Sequence, residues 1–212
     1  MTNQNTLDCR NIYCVGRNYR LHAAELGNAV PESPMIFAKP SHAAVRLDGS
    51  AIALPGDRGA VHYEAELVWL AGRRYEPGIA LHELYTHFTV GLDLTLRDVQ
   101  DGLKAKGYPW LAAKGFRHSA PLGRWLPYEA NAERSGRSFA MRLNGTEVQR
   151  GHAADMVFDL AALTAHVGAI YGIGPGDLLF TGTPEGVGKL ADGDAVELLW
   201  GDEQVGAGTF VI

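Results

Sequence analysis

Glu64 and Glu66 stand two residues apart in the run Tyr63-Glu64-Ala65-Glu66-Leu67-Val68-Trp69-Leu70, which otherwise reads as a buried strand, and Asp93 closes a second apolar run. Alternate residues of a strand point to one face. Both glutamates therefore share a side with Val68 and Leu70, while Tyr63, Ala65, Leu67 and Trp69 take the other. In residues 88–94 the apolar Phe88, Val90, Leu92 and Leu94 alternate with Thr89, Gly91 and Asp93, so the third acid emerges on a face of small residues with room for a ligand. Like charges held together in a half-buried place raise one another's pKa unless a cation compensates them. The three carboxylates thus predict a metal site, and hard oxygen donors favour Mg2+, Mn2+ or Ca2+ over zinc. His62 also falls on the glutamate face, which leaves a histidine–carboxylate iron or manganese site as a competing arrangement.

Two further groups could do chemistry. His22 and Glu25 are three apart, neighbours on one helical face; the carboxylate would orient the imidazole and favour its charged form, making a general-base pair that takes a proton from water and returns it. The alternative is an exposed helix pair of no consequence. Lys39 in Ile36-Phe37-Ala38-Lys39-Pro40 and Lys114 in Trp110-Leu111-Ala112-Ala113-Lys114-Gly115-Phe116 are single lysines within apolar stretches. Either could bind a substrate carboxylate or stabilise an oxyanion, or simply pack its stem and lead its head to water. The segment Thr181-Gly182-Thr183-Pro184-Glu185-Gly186-Val187-Gly188 offers backbone N–H groups and hydroxyls to an anionic oxygen. It lacks the lysine-Ser/Thr pair of a phosphate loop.

The elements that must hold these residues are mostly strands. Glycine is frequent, at 26 of 212 residues, and turn signals separate short aliphatic or β-branched runs. Strands are predicted at 11–15, 35–39, 51–54, 62–70, 88–94, 140–143, 147–149, 178–180, 195–199 and 208–212, with Asn144-Gly145 as a strong hairpin signal. Together they imply a mainly β, α+β protein with a barrel or sandwich. Helices are predicted at 96–106, opened by a Thr95/Asp98 capping box and stopped by Gly107, at 159–171 before Gly172, and in a short piece at 19–26. Residues 128–137 read as the most loop-like stretch. The length suits one domain with a substantial core.

Net charge of -5 and a pI near 5.9, without a dense basic block, argue against nucleic acid and for a small-molecule substrate. No run of about 18 apolar residues occurs and the N-terminus is polar, so no membrane partner and a cytoplasmic location are expected. Cys9 and Cys14 are too few for a disulfide framework and wrongly spaced for a CxxC motif; both are expected as reduced thiols, Cys14 packed.

Taken together, Gly16-Arg17-Asn18-Tyr19 with His22 and Glu25, Phe37-Ala38-Lys39-Pro40, Glu64-x-Glu66, Asp93-Leu94-Thr95-Leu96-Arg97-Asp98-Val99-Gln100, Pro109-Trp110 with Lys114-Gly115-Phe116, and the 181–188 segment resemble the fumarylacetoacetate hydrolase family, nearest to its short acylpyruvase branch. The resemblance runs from about residue 11 to 212. It implies the family's mixed β-roll in one catalytic domain, 11–212, after a short extension, 1–10, with 16–28 as a mobile lid, and usually a homodimer. By the same resemblance Glu64, Glu66 and Asp93 hold Mg2+ or Mn2+, His22 and Glu25 activate water, Lys114 is the catalytic lysine, and Arg17, Lys39, Arg97, Gln100 and Thr183 line the substrate site. The implied reaction is cleavage of a 2,4-dioxo acid such as acetylpyruvate or fumarylpyruvate. Water attacks the C4 carbonyl, Lys114 helped by Gln100 stabilises the oxyanion, and the C3–C4 bond breaks to a carboxylic acid and the enolate of pyruvate, the metal acting as Lewis acid. Oxaloacetate decarboxylation or tautomerisation uses the same electron sink, and an isomerase or decarboxylase of aromatic-acid breakdown is a third option. A silent metal-binding β protein is the non-enzymatic alternative. One departure is visible: many relatives carry aspartate after Lys-Gly-Phe, where Arg117 and His118 stand here.

Overall fold

The structure is a computed structural model that describes residues 9–25, 27, 29–128 and 136–212. Its elements are, in chain order, β1 (Ile12–Gly16), α1 (Arg20–Glu25), β2 (Met35–Lys39), β3 (Ala44–Arg46), β4 (Asp48–Ala53), β5 (Val61–Tyr63) and β6 (Ala65–Ala71). Then follow α2 (Leu81–Leu84), β7 (Tyr85–Leu92), β8 (Thr95–Leu96), α3 (Arg97–Ala105), α4 (Leu111–Lys114), β9 (Ala120–Leu122) and β10 (Leu126–Pro127). The last part holds β11 (Ser138–Leu143), β12 (Thr146–His152), α5 (Leu160–Ile170), β13 (Leu178–Phe180), β14 (Gly188–Lys189), β15 (Ala195–Trp200) and β16 (Glu203–Val211).

An eight-stranded sheet runs β2-β1-β13-β6-β7-β9-β3, with β10 beside β7; a five-stranded sheet runs β12-β11-β15-β16-β4; and β14-β5-β8 form a small third sheet. Alternation along β6, β7 and β13 makes the large sheet a partition. Leu67, Trp69, Phe88, Val90, Leu92 and Leu179 face a core shared with Phe139, Met141, Leu198 and Phe210 of the five-stranded sheet and with Leu163 and Val167 of α5. Val68, Leu178 and Phe180 face a second core with Ile12, Cys14 and Leu122. Each fully buried aliphatic or aromatic side chain contributes about 1.5–3 kcal/mol, so the two cores together fix the register of the partition. Cys14 belongs to the second core as a free thiol, and burial first, then the nearby Asp93 charge, pushes it up.

The mainly β reading holds, and its departures have local causes. The stretch read as one strand, 62–70, is two: β5 leaves the large sheet to pair with β14 and β8, and at the break the Ala65 N–H bonds the Gln149 side chain instead of a neighbouring strand. The second strand stops at Leu92, although the Asp93 N–H still reaches the Glu64 carbonyl. The capping box does not form. Helix α3 has Leu96 at its N-cap without a side-chain bond, while Asp98 instead accepts from the Ala60 N–H at 3.0 Å. Helix α5 does follow its cap, with Asp159 accepting from the Ala162 N–H at 2.8 Å. The Asn144-Gly145 turn takes positive φ at both residues, 52° and 80°, as a type I′ hairpin requires. Short α4 and strands β3, β9 and β14 went unread because two to four residues carry no period. Residues 1–8 of the expected extension, 26 and 28 of the expected lid and helix, and 129–135 of the expected loop lie outside the described residues. Among the described residues, no helix is long and apolar enough to cross a membrane.

Candidate functional site

The break between β5 and β6 turns Glu64 to the same place as Glu66, and Asp93, one residue past β7, completes the group. Glu64, Glu66 and Asp93 each offer an oxygen within 4.8 Å of the others, and all three are buried. Gly91, opposite Glu66 in the ladder, makes room for β9: a Cβ there would stand 2.9 Å from Val68 Cγ2 and 3.0 Å from the Pro121 carbonyl.

Cations surround the acids unevenly. Lys114, at the end of α4, donates to Glu64 Oε2 at 2.7 Å and to Asp93 Oδ2 at 2.6 Å. Arg97, at the start of α3, donates to Glu64 Oε1 at 2.5 Å and to Gln100 Oε1 at 2.8 Å. Burial works to raise the Glu64 carboxyl, but Lys114 and Arg97 outweigh it and hold the group well below the carboxylate range. Burial likewise works against the Lys114 ammonium, and Asp93 and Glu64 overturn it, so this lysine stays protonated. Glu66 is the exception. Its Oε2 accepts only the neutral Gly182 N–H, at 2.7 Å, and burial, then Asp93 and Glu64, push its pKa well up. Lys39 Nζ lies 2.7 Å from Asp93 Oδ1, yet its N–H groups are directed at the carbonyls of Leu94, Lys114 and Ser119, and Asp93 Oδ1 makes no hydrogen bond. An all-oxygen donor set, one acid raised by its neighbours and one orphaned buried oxygen fit a hard divalent cation.

His22, on α1, is buried, and its Nδ1 lies 3.2 Å from Glu25 Oε2. Glu25 Oε1 in turn accepts from the Gly186 N–H at 3.1 Å, tying α1 to the loop after β13. That loop is held from both sides. Asn18 donates to the carbonyls of Thr181 and Phe158 at 2.8 and 3.0 Å. Thr183 Oγ1 donates to the Ala65 carbonyl at 2.8 Å, while Gln149 accepts from the Ala65 N–H at 2.8 Å and donates to Thr183 Oγ1 at 2.9 Å. Gln149 thereby couples the backbone between the two glutamates to the loop after β13.

One cleft gathers Arg17, His22, Glu64, Glu66, Asp93, Arg97, Gln100, Lys114 and Thr183, so nine of the eleven site residues proposed from sequence line it directly. Glu25 stands behind His22. Lys39 does not line the cleft; its side chain is wholly buried behind Asp93, where it positions that acid and the carbonyls around it. His62 is not part of the acid cluster, and burial followed by the Arg97 charge lowers its pKa. The Arg117-His118 departure also falls away from the cleft: His118 takes a positive φ of 65° and its Nδ1 lies 2.9 Å from the Ala53 carbonyl. Sequence reasoning missed Gln149, which read as an ordinary strand end, and the wall residues Met35, Phe37, Lys104 and Trp110.

Comparison with known proteins follows the same lines. Residues 11–209 match the family described as Fumarylacetoacetate (FAA) hydrolase C-terminal. The oxaloacetate tautomerase YcgM of Escherichia coli (strain K12) is 39% identical over 186 residues, 86% of this chain and 84% of that protein. The mitochondrial oxaloacetate tautomerase FAHD1 of Rattus norvegicus is 37% identical over 190 residues, 89% and 86% of the two chains. The crystal structure of fumarylpyruvate hydrolase from Pseudomonas aeruginosa, in complex with Mn2+ and pyruvate, superposes with a TM-score of 0.89 at 32% identity, covering 100% of this chain and 93% of that one.

Proposed function

The chain belongs to the fumarylacetoacetate hydrolase family, and from that premise we propose that it directs enolate chemistry at C3 of a small 2-oxo acid, with keto–enol tautomerisation of oxaloacetate as its reaction. Hydrolytic cleavage of acylpyruvates, which the motifs alone put first, is the second reading, favoured by the likeness to the pyruvate-bound fumarylpyruvate hydrolase. The observation that carries both is the preformed His22–Glu25 pair in the same cleft as a protonated Lys114 and the three acids.

A Mg2+ or Mn2+ ion held by Glu64, Glu66 and Asp93 would supply Lewis acidity towards the charge of an enolate. The rest falls to the chain. Lys114 is kept charged by its two carboxylate partners, so it serves as a fixed positive group and not as the base. A carboxylate oxygen beside Nδ1 favours the tautomer of His22 that donates there and leaves Nε2 to accept a proton. In tautomerisation Nε2 exchanges a proton with C3; in cleavage it takes one from the water that attacks C4. Arg97, fixed by Glu64 and Gln100, orients the substrate carboxylate beside Thr183, whose hydroxyl proton goes to the Ala65 carbonyl. A homodimer forms part of the same proposal and is checked by light scattering.

The test is the rate of oxaloacetate enol-to-keto conversion, run beside acetylpyruvate and fumarylpyruvate, with Mg2+, Mn2+ or chelator. Acceleration of the first that chelator abolishes supports the reading. Cleavage without tautomerisation promotes the second, and chelator-resistant turnover overturns both.

A further inference from the structure

The cations deep in the cleft are committed. Lys114 serves Glu64 and Asp93, Arg97 serves Glu64 and Gln100, and Lys39 is spent on three carbonyls behind the site. Two further cations line the same cleft without such partners. Arg17 makes no side-chain ion pair or hydrogen bond among the described residues, although its backbone is held at a positive φ of 59°, a conformation that costs a non-glycine residue about 1 kcal/mol or more. Asn18, stapled to Phe158 and Thr181, fixes that turn and with it the position from which Arg17 projects. Lys104, one residue before the end of α3, holds its ammonium 5.6 Å from the centre of the Trp110 ring. Among the described residues it pairs with Asp101, which lies 3.7 Å away and is 64% exposed, so water competes for it.

We propose that Arg17 and Lys104 form a subsite for a second carboxylate, so that the cleft selects 2-oxo acids charged at the end remote from the ketone. The inference rests on the preceding reading of the cleft as a 2-oxo acid site. Three features support it. The two cations repel each other: burial first and the Arg97 charge next lower the Lys104 pKa, with Arg17 adding to the effect, and a bound anion relieves that repulsion. Apolar side chains adjoin them, with Trp110 under Lys104 and Phe37 packed against Trp110, so a charge pair made there is less screened than one in open water. The inner ammonium and guanidinium already serve Glu64, Asp93 and Gln100, and the first carboxylate of the substrate is assigned to Arg97, which leaves these two cations to read the second.

The matched probes are lactate and malate, stable 2-hydroxy acids that differ by one distal carboxylate. Calorimetric titration of the Mg2+-loaded protein should give malate the tighter binding by about tenfold or more. Lys104→Met, which keeps the stem over Trp110 but removes the charge, and Arg17→Gln should each collapse the malate-to-lactate ratio towards one, and Lys104→Arg should restore it. A ratio near one in the wild-type protein, or a ratio preserved in both charge-removing variants, overturns the subsite. Failure of oxaloacetate turnover with the ratio intact instead removes the proposed reaction and leaves the subsite standing.

Discussion

His22 is the residue on which the proposed chemistry turns, and its replacement separates catalysis from binding. His22→Ala should lower turnover by about 10²–10⁴-fold, the usual worth of a general acid–base group, while Mn2+ affinity, read by electron paramagnetic resonance, changes little because none of the three acids bonds to the imidazole. Retained turnover would exclude the proton-transfer role. Gln149 makes the complementary case. Gln149→Met leaves the buried Ala65 N–H without its acceptor, so about 1–3 kcal/mol of stability should be lost in urea unfolding, together with Mn2+ affinity, since the backbone between Glu64 and Glu66 is no longer pinned. Glu64 and Glu66 were legible as a pair because alternation gives positions two apart a common side, and Asp93 because it interrupts an apolar run; that the three converge depends on the break at Glu64. Lys39 was misplaced for an equally physical reason: a buried lysine announces that it has partners, but not whether they lie in front of a carboxylate or behind it.

At the scale of elements, the loop after β13 matters most. Gly182 has a φ of +95°, and a Cβ there would stand 2.7 Å from the Asn18 Cβ. Gly182→Ala therefore combines a disfavoured backbone with a collision between two anchored segments. It should cost more than about 1 kcal/mol, seen as a fall in melting temperature of at least about 2–4 °C for a domain of this size, and it should weaken the Glu66 contact made by the same residue's N–H. No loss of stability would show that the Asn18 staple yields freely. Long strands and the capped helix α5 could be read from period and punctuation. The break at Glu64 could not, because the partner that takes the Ala65 N–H there is Gln149, 84 residues on from Ala65 along the chain. Helix α4 is four residues long and begins without a side-chain cap; Lys114 owes its place there to Gly115, where a Cβ would stand 2.8 Å from Pro40 Cδ.

For the whole molecule, a metal held by the three acids would tie binding to folding. An unfolded chain has no assembled trio, so an ion that binds only the folded form adds about 2.7 kcal/mol when present at a hundred times its Kd, or a rise of about 5–10 °C in melting temperature for a domain of this size. Calorimetry with Mg2+ or Mn2+ against chelator checks this, and an unchanged midpoint would argue that the cluster binds no divalent ion. The mainly β architecture was visible in the sequence; the threading of the sheets was not, because parallel pairings between distant segments leave no local trace. The large sheet places β13 between β1 and β6, with β1 and β13 running parallel. On the ribosome, then, every acid of the cluster emerges well before the strand that separates β1 from β6 and the loop that supports Glu66. A nascent chain must hold an unfinished sheet, with open edges on both sides of the gap, until translation passes residue 183. Such a chain is a natural client for chaperones, and one truncated ahead of β13 should be digested rapidly by protease whatever metal is supplied.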